Sequence, residues 1–380
     1  MRERGALPWW APQMGARERG LVAEVLDSGF LNDGEVTTRF ERALAAATGA
    51  KHVVAVTSGT AAIFLALKSL GIGPGDEVIV PDVTFIATAN AVRLAGATVV
   101  LADVDPGTLT LDPRAAARAI TARTQGIIPV HVSGRVADMP ALLELARSRG
   151  LHLVEDAAEA LVSGLDGRRC GTFGTLGCLS FSPQKIITTG QGGAVLTDDD
   201  ALHVRLRELK DQGRPVRGTG GDDAHPALGF NFKFTNLQAA VGLGQLDTLS
   251  ERAARLRRHY EAYVAGLQGV QDGFGLFPFR IDHGELPQWV DAWSDERDAL
   301  VDALARRGAG CRRFWFPLHT QAPYRQSDDR FPVSTAMARR AFWLPSALTL
   351  SDQDVADVCG WIHEQLGTAT DFRSSMKVAA

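Results

Sequence analysis

The sequence predicts an α/β protein with a seven-stranded, mostly parallel sheet flanked by helices, followed by a smaller C-terminal α+β unit. Three observations predict this class. Short β-branched runs alternate with amphipathic stretches between residues 50 and 200. Several of the runs are apolar throughout, as in strands that are buried on both faces. Helical patterns separate most of them, and such alternation is typical of parallel sheets.

The elements of this sheet are predicted in chain order. The strands are expected at 53–58, 77–82, 98–104, 126–132, 151–156, 176–182 and 193–197. Helices are expected between most of them, at 60–70, 84–96, 112–121 and 138–150. The last two strands follow each other without a helix, which allows part of the sheet to be antiparallel.

The second half of the chain begins with a polar, glycine-rich stretch at 213–235. A loop of this length inside a compact chain is usually functional. One long helix is then predicted at 237–267, with further helices at 294–307 and 351–366. We expect a large domain at 14–245 and a small one at 246–380, to which residues 1–13 could belong.

Composition excludes several classes of protein. The 380 residues are 45% hydrophobic and 22% charged, which excludes a disordered chain. A net charge of −4 argues against nucleic acid as the main partner. The four cysteines form no CxxC pair and the histidines no HExxH, so we expect no metal site of these kinds. Without an apolar run long enough for a membrane or a signal peptide, a cytoplasmic protein is expected.

Ser58, Gly59 and Thr60 lie at a predicted strand-to-helix junction. Backbone N–H groups at a helix N-terminus, with hydroxyls beside them, can bind a phosphate. Taken alone, an N-cap that binds nothing is the commoner explanation. Phe85 follows the next strand, where it could stack on a ligand ring or simply pack in the core.

Asp156 ends the strand at 151–156, and Lys185 precedes a glycine-rich turn. Ligands of open α/β sheets bind beyond the carboxyl ends of the strands, where an acid can keep a ring nitrogen protonated. A buried lysine is a plausible Schiff-base nucleophile. A helix-capping acid and a surface lysine are the alternatives. Together, however, a phosphate cradle, an acid and an amine are what pyridoxal 5'-phosphate (PLP) requires.

Longer motifs resemble one family, the DegT/DnrJ/EryC1/StrS sugar aminotransferases, which have the PLP-dependent transferase fold type I. The resemblance covers about residues 15–365, and some motifs are most similar to perosamine-synthase-like 4-aminotransferases. The matching segments include SGTAAIFLAL, GDEVIVPDVTFIATANAV, VEDAAEA, GTFGTLGCLSFSPQKIITTGQGGAVLTDD, GFNFKFTNLQAAVGLGQL and FPLHTQAPY.

The resemblance implies a role for individual residues. Lys185 would bind PLP as a Schiff base, Asp156 would pair with the pyridine nitrogen, and Glu159 would lie near the ring hydroxyl. Asn231 would reach the phosphate of a neighbouring subunit, which implies a homodimer. The remaining implied contacts are Ser58, Gly59, Thr60 and Ser180 to the phosphate, Phe85 to the ring, and His319 and Arg313 to the sugar substrate.

The implied reaction moves an amino group from L-glutamate to a nucleotide-diphosphate-linked ketosugar, expected to be a 4-keto-6-deoxyhexose. Arginines at 312–313, 339–340 and 252–258 are candidates for gripping the diphosphate. The alternatives are a dehydratase or ketocyclitol aminotransferase of the same family, and a non-catalytic regulatory sensor. A nucleotide dehydrogenase would need GxGxxG after the first strand, where TSGTAA stands.

Three departures from the family pattern leave the substrate open. Gln191 stands in the glycine turn where the family usually has a glutamate. Ser133 stands in HVSG where the family usually has an aromatic residue. The segment WVDAWSDERD carries tryptophans for which the family gives no expectation.

Overall fold

The computed structural model describes residues 6–215 and 224–367. Parts of the predicted loop at 213–235 and of the predicted small domain therefore lie outside the described residues. The strands are β1 His52–Val56, β2 Glu77–Pro81, β3 Thr98–Ala102, β4 Thr124–Ile127, β5 His152–Asp156, β6 Gly164–Leu165, β7 Arg168–Arg169, β8 Leu176–Ser180, β9 Gly193–Thr197, β10 Phe274–Leu276, β11 Asp291–Ser294, β12 Arg312–Arg313 and β13 Ala341–Trp343.

The main sheet has seven strands in the order β1-β9-β8-β5-β4-β2-β3. The run β8-β5-β4-β2-β3 within this order consists of strands that are parallel to one another. β9 is antiparallel to both β1 and β8, because it follows β8 without a crossover helix. The predicted mostly parallel, seven-stranded sheet is confirmed.

Helices cover both faces of this sheet. Within β1, Val53 and Ala55 join one hydrophobic cluster while Val54 and Val56 join another, as expected for side chains that alternate between two covered faces. The helices are α1 Ala16–Ser28, α2 Glu35–Thr48, α3 Gly59–Ser69, α4 Ala87–Leu94, α5 Pro113–Ala119, α6 Met139–Arg149, α7 Asp200–Lys210, α8 Asn236–Asp247, α9 Leu249–Gly266, α10 Arg297–Arg306, α11 Pro332–Ala338 and α12 Asp352–Leu366.

Local sequence sets the start of several helices. Asp112, Asp138 and Asp199 precede α5, α6 and α7, and each carboxylate accepts hydrogen bonds from backbone N–H groups in the first turn. Proline occupies the first turn of α5 and α6, where its missing N–H costs nothing. No prediction covered α1, α2 or α7.

The single helix predicted at 237–267 is wrong, because Thr248 separates α8 from α9. The Thr248 hydroxyl donates to the Gln245 carbonyl at 3.2 Å and accepts from Arg252 Nε at 2.9 Å. Such local bonds compete with helix continuation. The backbone at Thr248 leaves helical geometry, with φ −109° and ψ 10°.

A second, antiparallel sheet of order β10-β11-β13-β12 lies in the C-terminal part. Side chains from this sheet and from α9, α10 and α12 form their own hydrophobic cluster, which Leu7 joins from the N-terminal segment. The boundary between residues 245 and 246 stays a prediction. Among the described residues, none of the helices combines the length and apolarity needed to cross a membrane.

Candidate active site

A cavity of about 330 Å³ lies where the carboxyl ends of β1, β2, β5 and β8 meet. This is the edge at which open α/β sheets bind ligands. Residues within the second sheet or in the chain between its strands also line the cavity. Its lining includes Ser58, Gly59, Thr60, Thr84, Phe85, Thr88, Asp156, Glu159, Ser180, Ser182, Gln184, Lys185, Gln191, Trp289, Arg312, Trp315 and Trp343.

The Lys185 side chain is only 12% exposed and reaches this cavity. Its Nζ donates to Glu159 Oε1 at 3.1 Å and lies 5.0 Å from the centroid of the Trp289 ring. Glu159 Oε2 accepts the backbone N–H of Ser133 at 2.9 Å, which fixes the carboxylate. Burial raises the pKa of Glu159, while the charge of Lys185 opposes the rise. The lysine is therefore an oriented amine inside the cavity.

Asp156 ends β5 and is 6% exposed. Its Oδ2 accepts the Thr88 hydroxyl at 2.7 Å, and its Oδ1 accepts the Ala158 N–H at 3.1 Å. Burial raises the pKa of Asp156, and the hydrogen bond from Thr88 counteracts this only in part. A cationic group in the cavity would stabilise this carboxylate.

The start of α3 forms a cradle for an anion. The Ser58 hydroxyl accepts the Ala61 N–H at 3.1 Å, while the N–H groups of Gly59 and Thr60 have no acceptor among the described residues. A Cβ on Gly59 would lie 2.9 Å from Ser180 Cβ, and one on Gly193 would lie 2.5 Å from the Ser58 backbone. Glycine therefore lets β8 and β9 approach the helix N-terminus.

Two of the predicted contacts are exposed. Phe85 lines the cavity, and the residue is 53% exposed. Asn231 is exposed and does not line the cavity of its own chain; its backbone forms a bridge with Asp211. A role for Asn231 in a neighbouring subunit stays a prediction.

The predicted sugar contacts are not in the cavity lining. His319 is fully buried, with Nδ1 2.6 Å from Asp82 Oδ2 and its ring stacked on Phe331. Arg313 is exposed and its Nε donates to Asp298 at 2.8 Å. The neighbouring Arg312 lines the cavity instead. His319 and Arg313 therefore have structural partners. Arg312 and Arg313 differ because successive residues of β12 point to opposite sides of the strand.

Several residues of the cavity lining were assigned no role in the sequence analysis. Thr88 binds Asp156, and Trp289, Trp315 and Trp343 form an aromatic wall. The segment WVDAWSDERD carried the one available signal, because its tryptophans fit no family expectation. Trp289, the first of them, lies over Lys185. Among residues 6–215 and 224–367, no group of three metal-ligating side chains could hold a metal ion.

Comparison with known proteins agrees with this geometry. Residues 12–363 match the DegT/DnrJ/EryC1/StrS aminotransferase family. The chain belongs to this family. It is 37% identical over 372 residues to GDP-perosamine synthase of Caulobacter vibrioides, covering 94% of this chain and 97% of that one. It is also 33% identical to GDP-perosamine synthase of Escherichia coli O157:H7, covering 94% and 98%.

Solved structures of family members have the same fold. S. venezuelae DesV, in complex with a ketimine intermediate, matches with a TM-score of 0.88 and 36% identity, covering 93% of this chain and 95% of that one. The aminotransferase TlmJ of Streptoalloteichus hindustanus matches with a TM-score of 0.89 and 34% identity, covering 95% and 98%. The predicted family and fold are confirmed, and the protein is an aminotransferase.

Proposed function

We propose that this aminotransferase uses PLP to move an amino group from L-glutamate to a nucleotide-diphosphate-linked ketosugar, a 4-keto-6-deoxyhexose. The observation that carries the proposal is the convergence of Lys185, Asp156 and the N-terminus of α3 in one cavity. The GDP-perosamine synthases at 37% and 33% identity support the nucleotide-sugar acceptor. The lysine favours transamination over the dehydratase and sensor alternatives.

The residues present fit PLP. Its phosphate would lie on the Gly59 and Thr60 N–H groups, beside the hydroxyls of Ser58 and Ser180. A protonated ring nitrogen would supply the cation that the Asp156 carboxylate lacks. Phe85 would contact a ring face and Glu159 the ring hydroxyl. When bound, PLP would supply an electron sink for the carbon that carries the transferred amine.

Lys185 would supply the amine that binds the cofactor and that moves protons during transfer. Its hydrogen bond with Glu159 at 3.1 Å and its place under the Trp289 ring keep Nζ in the cavity. Asp156 would remain anionic beside the ring nitrogen, held by Thr88. The aromatic wall limits the access of water to these groups.

Arg312 lines the cavity and would bind the diphosphate of the acceptor. An arginine guanidinium matches phosphate oxygens in a two-pronged geometry. Arg313, by contrast, forms an ion pair with Asp298, and its Nη2 lies 3.7 Å from Asp302 Oδ1.

The proposed enzyme is a cytoplasmic homodimer with shared active sites, to which Asn231 contributes across the interface. Mixed dimers of Lys185→Ala and Asn231→Ala subunits test this arrangement. Because one of the two sites in a mixed dimer would carry both defects and the other neither, mixing two inactive variants should restore activity. No recovery after verified subunit exchange would contradict the shared site.

The experiment for the function itself uses the purified protein. Borohydride should bleach the cofactor absorbance, and peptide mapping should locate the reduced adduct on Lys185. GDP- and dTDP-linked 4-keto-6-deoxyhexoses are then tested with L-glutamate, measuring both amine transfer and loss of water. Lys185→Ala should abolish transfer, whereas Lys51→Ala, at an exposed lysine paired with Asp200, should retain it. Transfer by Lys185→Ala, or loss of water as the main reaction, would refute the proposal.

A further inference from the structure

We propose that Trp9 is a positioning residue of the active site, which holds the Arg312 guanidinium toward the cavity and thereby strengthens binding of the acceptor's diphosphate. The inference rests on the proposed function. It assigns a role to the N-terminal segment, whose tryptophans no predicted contact included. Trp9 itself does not belong to the cavity lining.

The Arg312 side chain is exposed at the cavity and rests on aromatic rings. Its Cζ lies 4.8 Å from the Trp9 ring centroid and 5.5 Å from that of Trp343. Among the described residues, no carboxylate lies within ion-pair distance of Arg312, whereas Arg313 is paired with Asp298. The charge of Arg312 is therefore available to an anionic ligand, and two indoles restrict where it can go.

Backbone hydrogen bonds fix the segment that carries Trp9. Leu7 N donates to the Gly308 carbonyl, and Gly310 N donates to the Leu7 carbonyl, each at 2.7 Å. Ser346 N donates to the Trp9 carbonyl at 2.9 Å. The two Leu7 bonds attach the segment to the chain just before β12, and the Ser346 bond attaches it to the chain just after β13. Backbone hydrogen bonds therefore hold the segment that carries Trp9 against the sheet that carries Arg312.

The same segment also contacts the loop that carries the reactive lysine. Trp10 Nε1 donates to the Pro183 carbonyl at 3.0 Å, two residues before Lys185. The Trp9 ring lies 5.1 Å from the ring of Trp289, which covers the Lys185 amine. Trp9 therefore contacts both a cavity cation and a cavity ring.

Stacking on Trp9 would strengthen diphosphate binding because a free arginine side chain is flexible. A free arginine side chain loses many rotamers when it binds a phosphate, and that loss weakens binding. Stacking on Trp9 removes part of this freedom before the ligand arrives. A single cation–π contact at an exposed site corresponds to a change in affinity of up to about fivefold.

The test measures binding of GDP to the holoenzyme by calorimetry, for the wild type and for Trp9→Phe, Trp9→Leu and Arg312→Gln. Trp9→Leu should weaken GDP binding about fivefold, while Trp9→Phe keeps an aromatic face and should stay within about twofold. In the Arg312→Gln background, Trp9→Leu should have no further effect, because the two residues act as one unit. In turnover, Trp9→Leu should raise the acceptor KM with kcat nearly unchanged.

Two further variants keep the test decisive. Trp361→Leu is the matched control. Arg307 rests on the Trp361 indole with its Cζ 5.8 Å from the ring centroid, and neither residue lines the cavity. The GDP affinity of Trp361→Leu should therefore equal that of the wild type. Arg312→Lys lies at an exposed position, so folding is not at risk. It keeps the charge but loses the planar stack and the two-pronged phosphate contact, and should bind GDP more weakly than the wild type and more tightly than Arg312→Gln.

Three results would overturn the inference: wild-type GDP affinity in Trp9→Leu, an equal loss in the Arg312→Gln background, or wild-type affinity in Arg312→Lys. Failure of the proposed function looks different. In that case the wild type itself would bind neither GDP nor dTDP and would aminate neither of the nucleotide-linked ketosugars.

Discussion

The ion pair between Arg135 and Asp291 connects the loop after β4 to the first residue of β11, and thus the two sheets. The side chains are 1% and 0% exposed. Arg135 Nε also donates to the Thr108 carbonyl at 2.8 Å, and its guanidinium lies 4.8 Å from the centroid of the Phe279 ring. Apart from Asp291, no carboxylate among the described residues pairs with this arginine.

Asp291→Asn should therefore leave a buried cation without its counter-charge. Removing one partner of a buried pair costs about 3–5 kcal/mol. For 380 residues, an unfolding entropy of about 2.1 cal/mol/K per residue gives about 0.8 kcal/mol/K. We expect the melting temperature of Asp291→Asn to fall by about 4–6 °C.

Differential scanning calorimetry measures this shift. The double variant Arg135→Met/Asp291→Leu removes both charges and should recover most of the loss. Glu261→Gln is the control, because it breaks the exposed pair with Arg257, whose side chains are 49% and 51% exposed; its melting temperature should change by only about 1 °C. A similarly small shift for Asp291→Asn would refute the reasoning.

Three further predictions concern the cavity. Thr88→Val removes the hydroxyl that donates to Asp156 and should lower kcat about tenfold, while Thr88→Ser retains activity; equal kinetics of the two would contradict this. Because burial raises the pKa of Asp156, the folded cofactor-free protein holds a proton that the unfolded chain has lost, so its stability falls as pH rises above the usual carboxyl range. In urea unfolding of the cofactor-free proteins, the free energy of unfolding should fall less between pH 5 and 8 for Asp156→Asn than for the wild type, because the ordinary carboxyl pKa is about 4. An equal fall in the two proteins would contradict this. Arg313→Gln should leave acceptor KM within about twofold, since its pair with Asp298 is a surface one; a large rise in KM would place Arg313 in the site.

The sequence was sufficient to predict the part of the site that lies at the strand ends of the parallel sheet. Ser58, Asp156 and Ser180 each follow or end a strand, and strand ends of one sheet meet at one edge. Chain order and apolar runs therefore predicted that Ser58 and Asp156 come together, whereas Ser180 was implied only by the resemblance to the family. Lys185 was predicted from its unusual neighbours and lies in the same cavity.

The rest depends on contacts between distant parts of the chain. His319 pairs with Asp82, 237 residues away, and no local pattern distinguishes this buried partner from a ligand contact. The mutually contacting rings of Trp9, Trp289 and Trp343 come from three distant segments. The break at Thr248 rests on hydroxyl hydrogen bonds that a periodicity cannot reveal.

The insertion of β9 between β1 and β8 bears on the order of folding. Ser58 follows β1 and Ser180 ends β8, two strands that do not pair with each other, and the later segment Gly193–Thr197 pairs with both. Under the proposed function, a nascent chain would carry Lys185 before β9 has brought the proposed phosphate contacts Ser58 and Ser180 together. During refolding, cofactor capture should lag behind the appearance of helical circular dichroism, and simultaneous signals would argue against this sequence of events.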